Sequence, residues 1–288
     1  MYNIITAEFI APQVKSFKIE APHIARKRKA GQFIILRVHE KGERIPITIA
    51  DSSAAEGWIN IIVQALGKTS AHLNTLEAGD HLHDLVGPLG QPTHIENWGT
   101  LVCMSGGVGT AEALPIAAAA KAAGNKVVSI IGARSKDLLI AEEKMADIVD
   151  ELRISTNDGS AGRHGLVTDV LQDLMDEGLK PDMVVAIGPL PMMAAVSENT
   201  RELEIPTMVS LNAIMVDGTG MCGACRATVG GKTVFVCVEG PEFDGHQVDF
   251  RELGMRQKMY RKQEEESHRC FLEREMKKLK AKQIAEGV

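Results

Sequence analysis

Strands and helices alternate along residues 98–212, and this alternation constrains the fold more than any other feature of the sequence. Apolar, β-branched runs such as TLVCM, NKVVSIIGA and PDMVVAIG each precede a stretch with helix-forming composition. Strands that alternate with helices in this way form βαβ units, in which the strands run parallel and helices cover the sheet. The sequence therefore predicts a doubly wound parallel α/β domain over residues 98–212.

Residues 1–97 have a different pattern. Runs such as GQFIILRV and GWINIIVQAL are rich in β-branched residues, and TSAHLNTL is the only stretch there that resembles a short helix. Several short strands with one helix favour a small antiparallel β-barrel. The chain has 288 residues, which is enough for two domains at roughly 100–200 residues each.

Charge separates the body of the chain from a C-terminal tail. Residues 251–288 carry 11 basic and 7 acidic residues, a net charge of +4, whereas the whole chain has −6 and residues 1–250 therefore −10. An acidic body argues against a nucleic-acid-binding protein. The tail is predicted to be helical, with Leu272, Met276 and Leu279 on an apolar face that could contact a partner; a fully solvated charged helix is the alternative.

The sequence lacks the features of membrane and secreted proteins. No apolar run approaches the roughly 18 residues of a membrane helix. The first residues, MYNIITAEFIAPQ, contain no basic region and carry Glu8 in their apolar stretch, unlike a signal peptide. The protein is therefore expected in the cytoplasm, where disulfide frameworks are rare and its five cysteines need another explanation.

Three of the cysteines lie close together in a glycine-rich segment, residues 213–250. Their spacing is Asp217-x4-Cys222-x2-Cys225-x11-Cys237. The spacing C-x4-C-x2-C with a distant fourth cysteine is typical of plant-type [2Fe–2S] sites, and an aspartate takes the first position here. The sequence thus predicts a [2Fe–2S] cluster. The alternatives are a zinc site that includes His246 and three thiols without a metal.

A glycine-rich turn at residues 105–110 follows the strand TLVCM and opens a helix. Gly107 and Gly109 would let the backbone approach a pyrophosphate at the helix N-terminus. The third glycine of G-x-G-x-x-G is absent, because Glu112 takes its place. A plain tight turn is the alternative.

Two further loops follow predicted strands and strengthen the interpretation of a nucleotide site. Residues 187–193 connect a strand to a helix, and Asp158 ends another strand. Doubly wound sheets bind nucleotides at the carboxyl ends of their strands. Arg134 and Ser135 follow the second strand, where an acidic residue would bind the ribose 2′-hydroxyl, and they slightly favour NADP.

Two polar stretches stand out in the predicted barrel, residues 44–48 and residues 67–70. The second precedes the predicted helix, so its backbone and hydroxyl groups could hold a phosphate. An ordinary strand and an ordinary helix cap are the alternatives.

Taken in order, the motifs RIPIT, GPLG, GGVGTAEALPIA, GPLPMM and DGTGMCGAC…C resemble those of the ferredoxin–NADP reductase superfamily. Within it, the chain is similar to the electron-transfer subunit of dihydroorotate dehydrogenase B. It is more similar still to the small subunit of NADH-dependent ferredoxin:NADP oxidoreductase, also known as the sulfide dehydrogenase flavoprotein subunit. The likeness covers about residues 1–250, and the cluster motif that begins with aspartate points to the last-named family.

This resemblance implies FAD in the barrel and a nicotinamide nucleotide on the α/β domain. Thr48 would lie near the reactive flavin nitrogen and is the predicted catalytic residue. The residues predicted to bind FAD are Arg44, Pro46, Ile47, Thr48, Gly67, Thr69 and Ser70. Those predicted to bind NAD(H), or NADP(H), are Gly107, Val108, Gly109, Thr110, Arg134, Ser135, Asp158, Gly188, Pro189, Met192 and Met193. The predicted cluster ligands are Asp217, Cys222, Cys225 and Cys237.

The chain departs from the superfamily at two positions. The usual R-x-Y-[ST] motif reads R-I-P-I-T, without the aromatic residue, so the packing against the flavin must differ. Many reductases also have a cysteine before the GP loop, where this chain has Ile187. The resemblance favours NAD(H) over NADP(H).

The predicted function is electron transfer between NAD(H), FAD and the cluster. A hydride carries two electrons and a [2Fe–2S] cluster accepts one, so a flavin must connect them. The resemblance implies a heterodimer with a larger iron–sulfur flavoprotein that performs electron bifurcation with ferredoxin and NADP. The alternatives are an electron-transfer subunit of a dihydroorotate dehydrogenase and a non-catalytic redox-sensing iron–sulfur module. The predicted domains are 1–97, 98–212, 213–250 and 251–288.

Overall fold

The computed structural model describes the backbone of residues 1–286 and the side chains of residues 1–277. The last two residues of the predicted tail, 287–288, and the side chain of Leu279 lie outside the described residues. The apolar face predicted on the tail is therefore described only at Leu272 and Met276, whose side chains are both exposed.

Strands dominate the first part of the chain and alternate with helices in the second part. The strands are β1 (Tyr2–Ala11), β2 (Val14–Glu20), β3 (Phe33–Arg37), β4 (Arg44–Thr48), β5 (Asp51–Ser53), β6 (Trp58–Gln64), β7 (His81–Leu82), β8 (Asp84–Leu89), β9 (Thr100–Gly106), β10 (Lys126–Ala133), β11 (Glu151–Thr156), β12 (Arg163–His164), β13 (Met183–Ile187), β14 (Thr207–Ser210), β15 (Arg226–Val229), β16 (Lys232–Phe235) and β17 (Glu242–Asp244).

The helices range from single turns to one long C-terminal helix. They are α1 (Pro22–Ala25), α2 (Lys68–Leu73), α3 (Thr110–Ala122), α4 (Glu142–Ile148), α5 (Val167–Asp176), α6 (Leu190–Glu202), α7 (Val236–Glu239), α8 (Phe250–Gln257) and α9 (Arg261–Glu286). Within residues 1–286, none of them combines the length and the apolar character that crossing a bilayer requires.

The N-terminal strands form two antiparallel sheets, with the orders β5-β6-β2-β1-β7 and β4-β3-β8. Strand β2 shows why they enclose a core. Phe17 and Ile19 are fully buried, whereas the alternate residues Ser16 and Lys18 are only partly buried, because successive side chains point to opposite faces of a strand. The predicted antiparallel barrel is confirmed, and the single turn α1 is an addition to it.

The second part forms a sheet with the order β12-β11-β10-β9-β13-β14-β17, in which the first six strands are parallel. Central strand β9 is apolar on both faces: Val102 and Met104 contribute to one core, and Leu101 and Cys103 to the other. Such strands occur in parallel sheets that helices cover on both sides. The predicted doubly wound α/β fold is confirmed.

Strand pairing and a shared apolar core order the glycine-rich segment to a greater extent than its sequence predicted. Strands β15 and β16 form a hairpin, and β17 pairs antiparallel with β14 at the edge of the large sheet. Cys225, Ala227 and Val236 are buried in the same core as one face of that sheet. The segment therefore shares an apolar core with the nucleotide-binding sheet, which the lack of periodicity in its sequence did not predict.

The predicted helical tail consists of two helices with different surroundings. Helix α8 begins where the Asp249 side chain accepts a hydrogen bond from Glu252 N at 2.8 Å, and its Leu253 is buried in the core. Helix α9 runs back along the barrel, where the Phe271 ring lies 5.6 Å from the His72 ring of α2. The first turns of α9 are thus fixed against the barrel.

Asn125 holds the connection between barrel and sheet, and its loss should destabilise the fold. Its Oδ1 accepts hydrogen bonds from Trp98 N (2.8 Å) and Gly99 N (3.2 Å), and its Nδ2 donates to Glu96 O and Ala120 O, both at 2.8 Å. The side chain is 3% exposed. We expect Asn125→Ala to lower the free energy of unfolding by about 2–3 kcal/mol, since it leaves several polar groups without partners. The midpoint of urea denaturation measures this loss.

Gln172→Ala is the matched control. Gln172 is exposed and its amide bonds only Asp176 on the same helix. Its replacement should change the free energy of unfolding by no more than about 0.5 kcal/mol. Equal denaturation midpoints for the two variants would show that Asn125 does not stabilise the connection.

Candidate functional site

A cavity of about 830 Å³, the barrel cavity, lies along the outside of the barrel. It is lined by β4, by the start of α2 and by residues 213–216. The structure brings together there six of the residues predicted to bind FAD: Arg44, Pro46, Ile47, Gly67, Thr69 and Ser70.

The barrel cavity has a polar end at α2. Ser70 Oγ accepts hydrogen bonds from Leu66 N and Gly67 N, both at 3.0 Å, which caps the helix. Lys68 Nζ lies 2.9 Å from Glu43 Oε1, and the Thr69 hydroxyl donates to the same carboxylate. An ammonium and a hydroxyl at one end and apolar side chains of β4 at the other suit a dinucleotide with a phosphate centre and a flat apolar ring system. The residues of the cavity therefore fit FAD.

Helix α9 forms a wall of the barrel cavity that the sequence did not predict. Tyr260, Arg261, Glu264 and His268 line it opposite the barrel. Tyr260 supplies an aromatic side chain to a cavity whose strand β4 lacks one. No local signal could have found these residues, because their position depends on how α9 packs on the barrel.

A smaller cavity of about 170 Å³, the Thr48 cavity, lies between the barrel and the large sheet. Thr48 Oγ1 donates a hydrogen bond to Glu112 Oε2 at 3.2 Å, and Ser210 Oγ donates to Glu112 Oε1. Burial raises the pKa of the Glu112 carboxyl, and the two hydroxyl donors oppose that rise. Glu112, which stands in place of the third glycine of the motif, thus reaches from α3 to the predicted catalytic threonine.

The two glycine loops of the large sheet pack directly on each other. Gly107 has a φ of +55°, which glycine adopts without strain. A Cβ on Gly109 would lie 2.6 Å from Ile187 O, and a Cβ on Gly188 would lie 3.1 Å from Gly106 N. The structure therefore places both predicted nucleotide loops at one edge of the sheet, with Pro189 at the start of α6.

The remaining residues of these loops have different surroundings. Val108 lines the barrel cavity, and Met192 lies over Gly106 and Gly188. The Thr110 hydroxyl is buried and lies 3.0 Å from Ser105 Oγ. The Met193 side chain is fully buried in the core, so only its backbone is available for the predicted contact with the nucleotide.

The loops after β10 and β11 lie side by side, as the predicted nucleotide site requires. Asp158 N donates to Arg134 O at 3.1 Å, and hydrogen bonds from the Ser160 side chain and backbone lower the pKa of the Asp158 carboxyl. The Ser135 hydroxyl donates to Asp137. Asp137 is an acidic group near the predicted ribose position that the sequence analysis missed, although it stands only two residues after Ser135.

The four predicted cluster ligands form two pairs. Asp217 Oδ2 accepts a hydrogen bond from Cys222 N at 2.6 Å, and Oδ1 accepts one from Thr219 N at 2.7 Å. Cys225 Sγ and Cys237 Sγ lie 3.2 Å apart. These backbone donors, Thr219 N first, lower the pKa of Asp217, while burial raises the pKa of the Cys237 thiol to about 12.

This donor set fits a [2Fe–2S] cluster, which needs one pair of ligands for each iron. The loop also packs closely on the barrel, because a Cβ on Gly218 would lie 2.7 Å from the Ile35 and Leu89 side chains. Among the described side chains, those of residues 1–277, no three His, Cys, Asp or Glu groups already converge as a metal site. His246 bonds Thr200 at 3.0 Å and lines a different cavity from Cys222, which argues against the zinc alternative.

Three cavities meet at the segment that joins the large sheet to the cluster loop. A cavity of about 230 Å³ lies beside Cys222 and is called the cluster-side cavity. Ala213 lines this cavity, the barrel cavity and the Thr48 cavity, and Met215 lines the last two. The predicted flavin site and the predicted cluster site are therefore neighbours.

Comparison with protein families identifies two domains in the chain. Residues 2–94 match the family described as "Oxidoreductase FAD-binding domain". Residues 212–249 match the "Iron-sulfur cluster binding domain of dihydroorotate dehydrogenase B". These matches confirm the predicted cofactor classes for the barrel and for the glycine-rich segment.

Curated relatives match the chain over most of its length. The "Dihydroorotate dehydrogenase B (NAD(+)), electron transfer subunit homolog" of Thermotoga maritima is 48% identical over 94% of this chain and 95% of its own. The electron transfer subunit of dihydroorotate dehydrogenase B of Geobacillus thermodenitrificans is 31% identical over 85% of this chain and 96% of its own.

Solved structures agree with these relatives. A chain from the study "Insights into flavin-based electron bifurcation via the NADH-dependent reduced ferredoxin-NADP oxidoreductase structure" has a TM-score of 0.90 and 46% identity, and the match covers 94% of this chain and 98% of that one. Phthalate dioxygenase reductase shares the fold, with a TM-score of 0.57 at 15% identity over 82% of this chain and 93% of that one.

Proposed function

This chain belongs to the family of dihydroorotate dehydrogenase B electron-transfer subunits, and on that premise we propose that it passes electrons between NAD(H), FAD and a [2Fe–2S] cluster. We further propose that it does so as the smaller subunit of an electron-bifurcating NADH-dependent ferredoxin:NADP oxidoreductase. The observation that carries the proposal is the convergence of the Thr48, barrel and cluster-side cavities at Ala213. In this proposal, a two-electron site and a one-electron site lie on either side of one short segment.

FAD would supply the ability to accept an electron pair and to release single electrons. The protein's own residues would bind and orient it. Arg44, Pro46 and Ile47 would line the ring system, and Lys68 with Thr69 would face the phosphates. Thr48 would present its hydroxyl to the flavin in the small cavity between the barrel and the large sheet.

The loops of the large sheet would hold the nicotinamide nucleotide, and the structure supports NAD(H). A Cβ on Gly107 would meet no atom within 4 Å, so the backbone there is open to a pyrophosphate at the start of α3. Gly109 and Gly188 let the two loops pack together. Asp137, which accepts a hydrogen bond from Ser135, places a negative charge beside Arg134. An acidic group at this position binds a ribose 2′-hydroxyl and repels a 2′-phosphate.

The exposed edge of the cluster loop supports the proposal that a partner subunit binds there. Met221 is 89% exposed, and the neighbouring Cys222 is also exposed. Apolar side chains are also exposed at Met255 on α8 and at Met259, which lines the cluster-side cavity with Cys222. The proposed partner is a larger iron–sulfur flavoprotein that exchanges single electrons with the cluster and, through the complex, with ferredoxin.

The function can be tested by anaerobic purification with native partners and rapid mixing with NADH. We expect one FAD and two irons per chain, bleaching of the flavin absorption by NADH, and then the electron paramagnetic resonance signal of a reduced cluster. The complex should also couple NADH and reduced ferredoxin to the reduction of NADP. A complex with both cofactors that reduces NADP without ferredoxin would contradict bifurcation but not electron transfer.

The names of the relatives favour one second candidate, an electron-transfer subunit for a dihydroorotate dehydrogenase. Those subunits are expected to bind their cluster with four cysteines, so Asp217 counts against it. Dihydroorotate-dependent reduction of NAD by the purified complex would support this candidate. A redox sensor, in contrast, would show no turnover with NADH and an artificial acceptor.

A further inference from the structure

Two carboxyl groups lie between the barrel and the large sheet and have no role in the scheme above. Glu112 is bound by the hydroxyls of Thr48 and Ser210, as described. Glu242 lies on β17 directly opposite Ser210 of β14, and its Oε1 accepts a hydrogen bond from Thr93 Oγ1 at 2.8 Å. In the described residues, neither carboxyl forms an ion pair with a lysine, arginine or histidine.

These groups form a line from the Thr48 cavity to the β17 edge of the large sheet. Directly opposed residues of an antiparallel pair have Cβ atoms about 4.5–5.5 Å apart, so Ser210 connects the surroundings of Glu112 to those of Glu242. Glu242 also lines a cavity of about 650 Å³, the sheet-edge cavity, on the far side. The order along the line is Thr48, Glu112, Ser210, Glu242 and the sheet-edge cavity.

The surroundings raise the pKa of both carboxyl groups. Burial, and then the charge of Glu112, raise the pKa of Glu242 to about 8. Burial likewise raises the pKa of Glu112. The other titratable group facing Glu112 is Cys103, whose buried thiol has a pKa of about 12 and stays neutral. The sheet-edge cavity adds charged and titratable groups around Glu242: His94, Glu96, Arg201, Glu204, Asp244 and His246.

The proposed electron transfer requires a proton to leave the flavin site. When the C4–H bond of the nicotinamide breaks, the hydride delivers one proton together with two electrons, and NADH is oxidised. The cluster and the partner beyond it accept those two electrons in single steps and take no proton. One proton per NADH must therefore pass from the flavin to solvent.

We propose that Glu112 and Glu242 carry this proton. Glu112 receives it through the Thr48 hydroxyl, which accepts one proton as it gives up its own. Glu112 passes a proton past Ser210 to Glu242, which releases it into the sheet-edge cavity. Because Glu112 reaches the flavin site through the Thr48 hydroxyl, it is a positioning residue and not a catalytic one. This inference rests on the proposed function.

The test compares Glu112→Gln and Glu242→Gln in the purified complex with an exposed control, Glu143→Gln on α4. Glutamine keeps the shape. Its carbonyl oxygen can accept one of the two hydroxyl hydrogen bonds of Glu112 and its amide can donate to the other hydroxyl, but it cannot take up a proton. We expect oxidation of the reduced flavin to slow about 10–100-fold at pH 7 in both test variants, within the usual range for acid–base groups. The control should match the original protein.

Two further readouts separate proton transfer from a structural role. The midpoint potential of the FAD should depend on pH with a bend near pH 8 in the original protein, and Glu112→Gln should shift or remove that bend. Redox-difference infrared spectra should show a protonated carboxyl band that changes on flavin reduction and is absent in Glu112→Gln. If Glu112→Gln keeps both the pH dependence of the FAD midpoint potential and the carboxyl band of the original protein, the proposal is overturned.

The experiment still tests the proton path if one variant loses FAD or if the proposed function is wrong. If Glu112→Gln loses FAD, Glu242→Gln still decides, because Glu242 does not line the barrel cavity or the Thr48 cavity. If NADH does not reduce the flavin, the proposed function is wrong, whereas chemical reduction of the flavin still measures the pH dependence and the infrared band.

Discussion

Cys225→Ser is expected to eliminate the iron–sulfur cluster. Cys225 is 2% exposed, and its sulfur lies 3.2 Å from that of Cys237, so the two thiolates would bind the same iron. A serine hydroxyl in this apolar position is a poor replacement for a thiolate. Anaerobically purified protein should fall from two irons per chain to nearly none and lose the visible absorption of the cluster. NADH should still reduce the FAD, but electron transfer to the partner should become undetectable.

Cys270→Ser is the matched control for this variant. Cys270 is an exposed thiol on α9, outside the glycine-rich segment, and its replacement should leave the iron content unchanged. Zinc in place of iron in the original protein, or full iron content in Cys225→Ser, would contradict the assignment of the cluster. Asp217→Cys should keep the iron and change the cluster potential, because ligand identity is one of the determinants of that potential.

Removal of helix α9 is expected to release FAD. A chain that ends at Gln257 keeps α8 and its buried Leu253 but lacks Tyr260, Arg261 and His268, which line the barrel cavity. One wall of the cavity then opens to water and its aromatic side chain is lost, which is worth about 1 kcal/mol or more beyond simple burial of area. We expect the dissociation constant for FAD to rise at least about tenfold. Flavin fluorescence during titration of the FAD-free protein measures this change.

A chain that ends at Met276 is the matched control, because it keeps every residue of α9 that lines the cavity. It should retain FAD, and its co-purification with the large subunit reports separately on the contact predicted for the tail. If both truncated chains retain FAD equally, α9 does not close the cavity. If both also assemble with the large subunit, the partner contact predicted for the tail at Leu272, Met276 and Leu279 is wrong.

Features that repeat along a strand could be predicted from the sequence. Several short β-branched runs with a single helix predicted the barrel, and the alternation of strands with helices over residues 98–212 predicted the parallel sheet. The glycine loops lie at the predicted edge of that sheet because parallel strands end together there. In each case, residues that are neighbours along the chain are enough to predict the structure.

Features that depend on distant contacts could not be predicted in this way. Glu112 is 64 residues from Thr48 along the chain. The sequence therefore showed only that Glu112 replaces the third glycine of the motif, and not that it contacts Thr48. The contribution of Tyr260 to the barrel cavity depends on the direction in which α9 leaves α8. The resemblance carried by the GPLPMM motif implied that Met193 contacts the nucleotide, but one step along a helix from Met192 turns its side chain into the core.

Strand β17 ties the cluster-bearing segment to the nucleotide-binding sheet through its pairing with β14. The barrel residues Phe33 and Ile35 belong to the same buried core as this segment and one face of the sheet. The spacing between the predicted flavin site and the predicted cluster site is therefore set by the folded core itself.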